Sequence, residues 1–283
     1  MKKLYIDDMV LSQKIEDLLV QKNLRGMKDM QGVLNPGYYL RAAKLLNSCK
    51  GTVLIGTGFP VDNTFETDGP LGAIALYKAL ESLGAKPLLV CGAPLATVLA
   101  DDFNVYEITV GDLTTAETET RVALAELNPE LVISIERPGL SEAGGYFNMR
   151  GEDISPRCAC FDYFLRLAKC PTIGIGDGGN EIGMGNLKSA LGKLNIIAAA
   201  TTCDELLIAD VSNWGAHGLI ALLAKWNSSD LLAAIHTGEI LRYISERGGV
   251  DGVTRENTLT EDSLPVTEGQ KVILTLRQLT GFA

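Results

Sequence analysis

Histidine is almost missing from this chain of 283 residues, which carries only His217 and His236. That excludes a multi-histidine metal centre, so any metal ion must be held by oxygen ligands. The six cysteines are scattered, and the one close pair, Cys158-Ala-Cys160, lacks the two-residue spacer of zinc and redox motifs. Most have apolar neighbours, which points to buried free thiols in a reducing compartment. No apolar run approaches the roughly 18 residues of a membrane-spanning helix. The opening Met1-Lys-Lys-Leu-Tyr-Ile-Asp-Asp lacks the apolar centre of a signal peptide. Polybasic runs are absent too, and 35 acidic against 25 basic residues leave a formal charge of -10. This argues against coating nucleic acid or adsorbing to anionic lipid. There is no Gly-x-Ser-x-Gly elbow, no Walker loop and no paired-histidine helix. The expectation is a soluble, cytoplasmic protein acting on a small molecule, with no nucleic-acid or membrane partner. A homo-oligomer stays open.

What the chain does have is alternation. Amphipathic patterns over residues 9–24 and 38–46 predict two helices, separated by Asn35-Pro-Gly37. Strands are then predicted over 52–56, 87–91, 105–110, 131–135, 171–175 and 205–209. Helices are predicted over 70–83, 95–100, 115–127, 161–169, 214–226, 230–234 and 238–247. Such alternation implies an α/β fold whose mainly parallel sheet is covered by helices on both faces, with an N-terminal helical addition. No Pro/Gly/Ser linker divides the chain, so residues 1–283 read as one domain. Within it, 1–48 is a helical segment, and 248–283 is a polar surface excursion ending in a strand over 271–276.

Four motif segments follow predicted strands. The densest is Gly174-Ile-Gly-Asp-Gly-Gly-Asn-Glu-Ile-Gly-Met-Gly185, where Asp177, Asn180 and Glu181 sit among glycines that include Gly178 and Gly179. A glycine loop at a strand end is where open α/β sheets place ligands. The second is Gly56-Thr-Gly58 with Glu66-Thr-Asp68-Gly-Pro-Leu-Gly-Ala. Thr57 and Gly58 form a glycine turn without the third glycine of a dinucleotide fingerprint, so no organic cofactor is expected. Asp68 suits the N-cap of the next helix as well as a site. The third, Glu136-Arg137-Pro-Gly, reads as an acid and a base for chemistry or as a local ion pair. The fourth, Tyr146-Phe-Asn148-Met-Arg150-Gly, offers a planar guanidinium for a carboxylate or phosphate. Ser212 or Asn213 is an expected helix N-cap, and His217, Trp214 and Trp226 read as packing residues.

Taken in order, these motifs resemble the D-glutamate cyclase C-terminal-like family, from about residue 30 to about residue 225. The chain is similar to its stand-alone prokaryotic form, without the second domain and targeting peptide of some eukaryotic members. The resemblance implies dehydration of D-glutamate, or a related acidic amino acid, to 5-oxo-D-proline. On that reading Arg150 or Arg137 grips the α-carboxylate, and Asn148, Asn180, Gly178, Gly179, Thr57 and Gly58 help bind substrate. Asp177, Glu181 and Glu136 supply catalysis. Asp177, Glu181, Asp68 and Glu66 are candidate ligands for manganese, magnesium or calcium. Two alternatives stay open: a non-catalytic module binding a nucleotide or amino acid, and a metal-dependent phosphatase acting on a small phosphoester.

Overall fold

The computed structural model describes residues 7–283, so most of the stretch read against a signal peptide lies outside the described residues. Three helices come first: α1 (Asp8–Leu19), α2 (Met27–Gln31) and α3 (Tyr38–Ser48). The Asp7 carboxylate caps α1 by accepting from the N–H groups of Met9 and Val10. Strand β1 (Thr52–Thr57) opens the sheet, and a hairpin of β2 (Pro60–Val61) and β3 (Thr64–Phe65) leads into α4 (Pro70–Ser82). Next come β4 (Lys86–Cys91), α5 (Leu95–Leu99), β5 (Val105–Glu107), α6 (Ala116–Leu127) and β6 (Leu131–Ile135). Beyond a long loop follow α7 (Asp162–Leu167), β7 (Thr172–Gly176), α8 (Lys188–Leu191), β8 (Glu205–Ile208) and α9 (Ser212–Asn227). Helix α10 (Thr237–Glu246), a hairpin of β9 (Thr260–Glu261) and β10 (Leu264–Pro265), and α11 (Val266–Thr280) complete the chain.

The six-stranded sheet has the order β5-β4-β1-β6-β7-β8, with every pair parallel. Numbering only its own strands, that is the doubly wound order 3-2-1-4-5-6, whose winding reverses between β1 and β6. Val53, Ile55, Ile133 and Ile135 point to the face covered by α3, α4 and α9, while Leu54 and Val132 meet Phe161 and Phe164 on the other. Two-sided burial explains why these strands read as unbroken apolar runs. Helix α9 is buried from Ser212 to Ala224, so its N-terminus is held rigidly beneath the carboxyl edge of the sheet.

Three expectations need correction. Residues 271–276 belong to α11 and form no strand; Gly269, Val272, Ile273 and Leu276 are buried at helical spacing, and Gly281 ends the helix in a left-handed conformation. A short apolar run has no period of its own, so its flanks decided the outcome. The polar tail after Gly248 does not remain at the surface: Asp251, Glu261 and Asp262 are buried. The Asp251 carboxylate folds this segment by accepting from the N–H groups of Val253, Thr254 and Ser263. Gly69 rather than Asp68 holds the N-cap position of α4.

Candidate active site

The N-terminus of α9 gathers three carboxylates that arrive from different strand ends. Ser212 N–H donates to Asp68 Oδ2 at 2.9 Å and to Asp177 Oδ2 at 3.2 Å, and Asn213 N–H donates to Asp68 Oδ1 at 2.8 Å. The Ser212 hydroxyl donates to Glu136 Oε2 at 2.5 Å. Oriented N–H groups and the positive end of a helix favour such anions. Oxygens of Asp68, Glu136 and Asp177 consequently lie within 4.8 Å of one another, all three residues being buried. Glu136 reaches this position with φ of 46°, a left-handed backbone that a long side chain rarely adopts. Asp62, Arg255, Asp262 and Ser263 share that conformation, so five of the eight described non-glycine residues with positive φ line one cavity. Strained backbone of this kind persists where the surrounding structure over-determines it, often at functional sites.

Four more buried carboxylates stand close by: Glu66, Glu181, Glu261 and Asp262. Facing them is Arg25, whose guanidinium pairs with Asp177 and, at 2.5 Å, with Asp262 Oδ2. Burial, reinforced by neighbouring charge, lifts Glu136 and Glu66 well above the ordinary carboxylate range. Asp177 is also lifted well above it by burial, against the pull of Arg25. Burial and the Asp262 charge raise Asp68 to about 7, and burial raises Glu261 to about 8. Burial raises Glu181 too, but N–H groups of its own loop limit the rise. Only Asp262 is lowered, because the charge and hydrogen bond of Arg25 outweigh its burial. Seven buried acids and one guanidinium cannot all be ionised without further positive charge or protons. A set of carboxylate oxygens with this spacing and this charge deficit fits a hard divalent cation.

The cavity above this floor has a volume of about 440 Å³. Glu136, Asp177, Asn180, Glu181, Glu66, Asn148 and Arg150 all line it, so the motif loops converge as their strand-end positions suggested. Their side chains have different duties. Glu181 accepts from Gly178 N–H at 2.9 Å and Gly179 N–H at 2.7 Å, shaping its own loop outside the three-acid group. Those two glycines thus direct their N–H groups to Glu181. Asn148 Oδ1 accepts from the N–H groups of Arg150 and Glu152. Asn180 donates to the Phe147 carbonyl at 2.9 Å and leaves a buried Oδ1 with no partner. Arg150 is exposed at the rim and, among the described residues, its side chain donates only to the Val253 carbonyl, at 3.0 Å.

Arg137 does not join this cavity and makes no ion pair with Glu136. It is buried, donating to the Thr57 and Ala159 carbonyls beside the Phe161 ring. The left-handed turn at Glu136, just beyond the end of β6, separates the two side chains. Thr57 is buried away from the cavity, and Gly58 lies beside Arg137. His217 is fully buried in α9 with both ring nitrogens unpartnered among the described residues, and burial lowers it to about 3. It is a packing residue, as is Trp214, and Trp226 packs partly buried on the same core.

Arg25 and Asp262 are the residues of the candidate site that sequence reasoning missed. One comes from the loop after α1 and the other from the turn after β9, and they meet over Asp177. Neither sits in a glycine-rich motif or after a strand of the six-stranded sheet, so no local signal marks them. Ser212 and Asn213 were visible only as helix-start residues.

The family described as "D-glutamate cyclase-like, C-terminal" matches residues 15–277. "D-glutamate cyclase, mitochondrial" of Homo sapiens is 32% identical over 240 residues, covering 75% of this chain and 39% of that protein. The chain therefore spans about two fifths of the length of that relative. Among solved structures, an exopolyphosphatase-related protein from Bacteroides fragilis superposes with a TM-score of 0.41 at 10% identity, covering 88% of this chain and 61% of the other. Thermoplasma acidophilum aldohexose dehydrogenase superposes with a TM-score of 0.29 at 11% identity, covering 84% and 91%.

Proposed function

Because the chain belongs to the D-glutamate cyclase-like C-terminal family, we propose that its cavity cyclises D-glutamate, or a related acidic amino acid, to 5-oxo-D-proline. The observation that carries this reading is the group of three buried carboxylates, Asp68, Glu136 and Asp177, under a cavity whose rim holds the Arg150 guanidinium, in no ion pair among the described residues. In the reaction the substrate amino nitrogen bonds to the side-chain carboxyl carbon, a C–O bond breaks, and water leaves. A carboxylate resists attack while it is negatively charged, so that charge must be neutralised.

The three carboxylates are the ligands we assign to a divalent cation, with manganese, magnesium or calcium all compatible with oxygen donors. Such an ion supplies Lewis-acid polarisation of the side-chain carboxylate and charge balance for the floor. The remaining roles fall to the chain itself. Arg150 holds the α-carboxylate by its planar fork. Asn180 Oδ1, buried and otherwise unpartnered, accepts from the substrate ammonium and aims it inward. Glu181 takes the ammonium proton, its carboxyl being raised by burial while loop N–H groups favour the ionised form. Glu66, which burial and the charges of Asp262 and Asp68 hold toward the protonated form, gives one proton to the departing oxygen; the second, with which it leaves as water, comes from the ring nitrogen by way of Glu181. Holding substrate between rim and floor favours the folded conformer that closes the ring.

The same acids and rim guanidinium also suit hydrolysis of a small phosphoester, which is the second reading. The test is chromatography of 5-oxoproline formed from D-glutamate with manganese or with chelator, against a heat-inactivated control, alongside phosphate release from small esters. Lactam above the spontaneous rate, lost with chelator, supports the cyclase. Phosphate release without lactam would transfer the site to the second reading.

A further inference from the structure

A second cavity, of about 240 Å³, lies across the β2–β3 hairpin from the acidic one, over the carboxyl ends of β1 and β4. Phe59, Asp62 and Arg157 line both cavities, while Arg137, Pro94, Leu95 and Val110 line only the smaller. In the smaller cavity two guanidiniums outnumber one carboxylate, that of Asp62, whereas carboxylates outnumber guanidiniums in its neighbour. Arg137 is 2% exposed and has no carboxylate within ion-pair distance among the described residues. Two carbonyls, of Thr57 and Ala159, use two of its N–H donors, and the buried Nε–H has no partner. A guanidinium carries five such donors, so three remain. Arg157 likewise donates only to a carbonyl, that of Asp62, at 2.6 Å. The Asp62 carboxylate is already paired with Arg255 at 3.1 Å. A buried, unpaired cation is costly, and a carboxylate with two-point geometry is the partner that best relieves it. Phe59, Pro94, Leu95 and Val110 offer the rest of the cavity an apolar wall.

We propose that this smaller cavity is a second ligand site, which takes a small monocarboxylate with an apolar body between Arg137 and Arg157. Its size admits such a molecule, since an apolar cavity of roughly 150 Å³ already holds benzene. The site is independent of the cyclisation reading, because it shares none of the acidic groups of the floor. Its place on the far side of a two-stranded hairpin gives an occupant direct contact with a wall of the acidic cavity.

The experiment is calorimetric titration of the full chain with benzoate, with benzamide as the neutral counterpart and inorganic phosphate as the anion without an apolar body. Saturable binding of benzoate but not of benzamide is expected. Arg157→Met should weaken it about tenfold to a hundredfold, the effect of losing a charged hydrogen bond. Arg150→Met, which alters only the acidic cavity, should change it less than about twofold. Arg137→Lys keeps the charge but loses the fork and should also weaken binding; should that variant fail to fold, Arg157→Met decides alone. No saturable benzoate binding overturns the proposal, as does equal binding of benzamide. It is overturned equally by phosphate binding in place of benzoate, or by loss of binding in Arg150→Met with Arg157→Met unaffected.

Discussion

Asp68 and Asn213 cap each other's helices. The Asp68 carboxylate accepts the first N–H groups of α9, from Ser212 at 2.9 Å and Asn213 at 2.8 Å. The Asn213 carboxamide oxygen accepts those at the start of α4, from Gly69 at 2.8 Å and Gly72 at 2.7 Å. The exchange requires α4 and α9 to approach closely, and Gly72 permits it, since a Cβ there would come within 2.9 Å of the Asn213 backbone. The residue that fixes the helix pair is thus also a member of the acidic floor, which ties the geometry of the site to the packing of the core.

Asn213→Ala should destabilise the protein by about 2–4 kcal/mol, since it removes a cap and leaves buried N–H groups unpaired. Its amide also donates to Glu261 Oε2 at 2.8 Å, so the loss reaches the segment after Gly248. Urea denaturation of metal-free protein measures the change. A shift within about 0.5 kcal/mol of wild type would mean the mutual capping is decorative.

The acidic floor gives metal-free protein an unusual pH dependence. Burial first, then the neighbouring charges, hold Glu261 at about 8, and burial with Asp262 holds Asp68 at about 7. Both values lie above those of an unfolded chain, so between pH ~4 and ~8 the folded state binds more protons. Stability from these groups is full below the unfolded values and is lost as pH rises through the folded ones. In chelator, the urea midpoint should fall between about pH 5 and pH 9, and Glu261→Gln should flatten the upper part of that fall. A midpoint that rises across this window would contradict the burial of these carboxyls.

How much of this was legible beforehand differs between fold and site. Strands buried on both faces and separated by helical periods announce a parallel sheet, and its carboxyl edge then collects the loops holding Glu136, Asp177 and Arg150. Direction was not legible. Adjacent residues Glu136 and Arg137 diverge across a left-handed turn at Glu136 that the strand pattern does not announce, and Glu181 turns back onto its loop. Nor was long-range pairing: Arg25 and Asp262 meet because α1 and α11 pack side by side, which no local pattern encodes. The run Lys-Val-Ile-Leu-Thr-Leu suits strand or helix equally; its flanks extend it into α11, which packs on α9, α1 and α10.

Glu136→Gln should separate the charge role of the floor from its architecture. The amide still accepts from the Ser212 hydroxyl but cannot ionise to serve as an anionic ligand, and burial already disfavours that ionisation without metal, so metal-free variant should be as stable as wild type or more so. Manganese should stabilise wild type by about 2.7 kcal/mol at a hundredfold excess over its dissociation constant, and the variant by much less. Thermal unfolding with and without the ion provides the comparison. Equal manganese stabilisation of both proteins would remove Glu136 from the ligand set, and none in either would remove the metal.

Arg150→Lys tests whether the rim guanidinium reads substrate. The residue is exposed and donates to a single carbonyl, so the substitution should leave the unfolding midpoint unchanged. An ammonium keeps the charge but not the two-point grip on a carboxylate. Losing one charged hydrogen bond should lower kcat/KM for lactam formation by about 10- to 150-fold, equivalent to roughly 1.5–3 kcal/mol. If the grip is made equally in ground and transition states, the loss appears in KM with kcat retained. If it also holds the folded conformer in which the amino group meets the carboxyl carbon, kcat falls as well. A lysine variant with wild-type kcat/KM would show that the α-carboxylate is held elsewhere. Arg157 would then be the remaining cavity cation to test, because Arg25 is paired with Asp177 and Asp262, and Arg255 with Asp62 and Glu152.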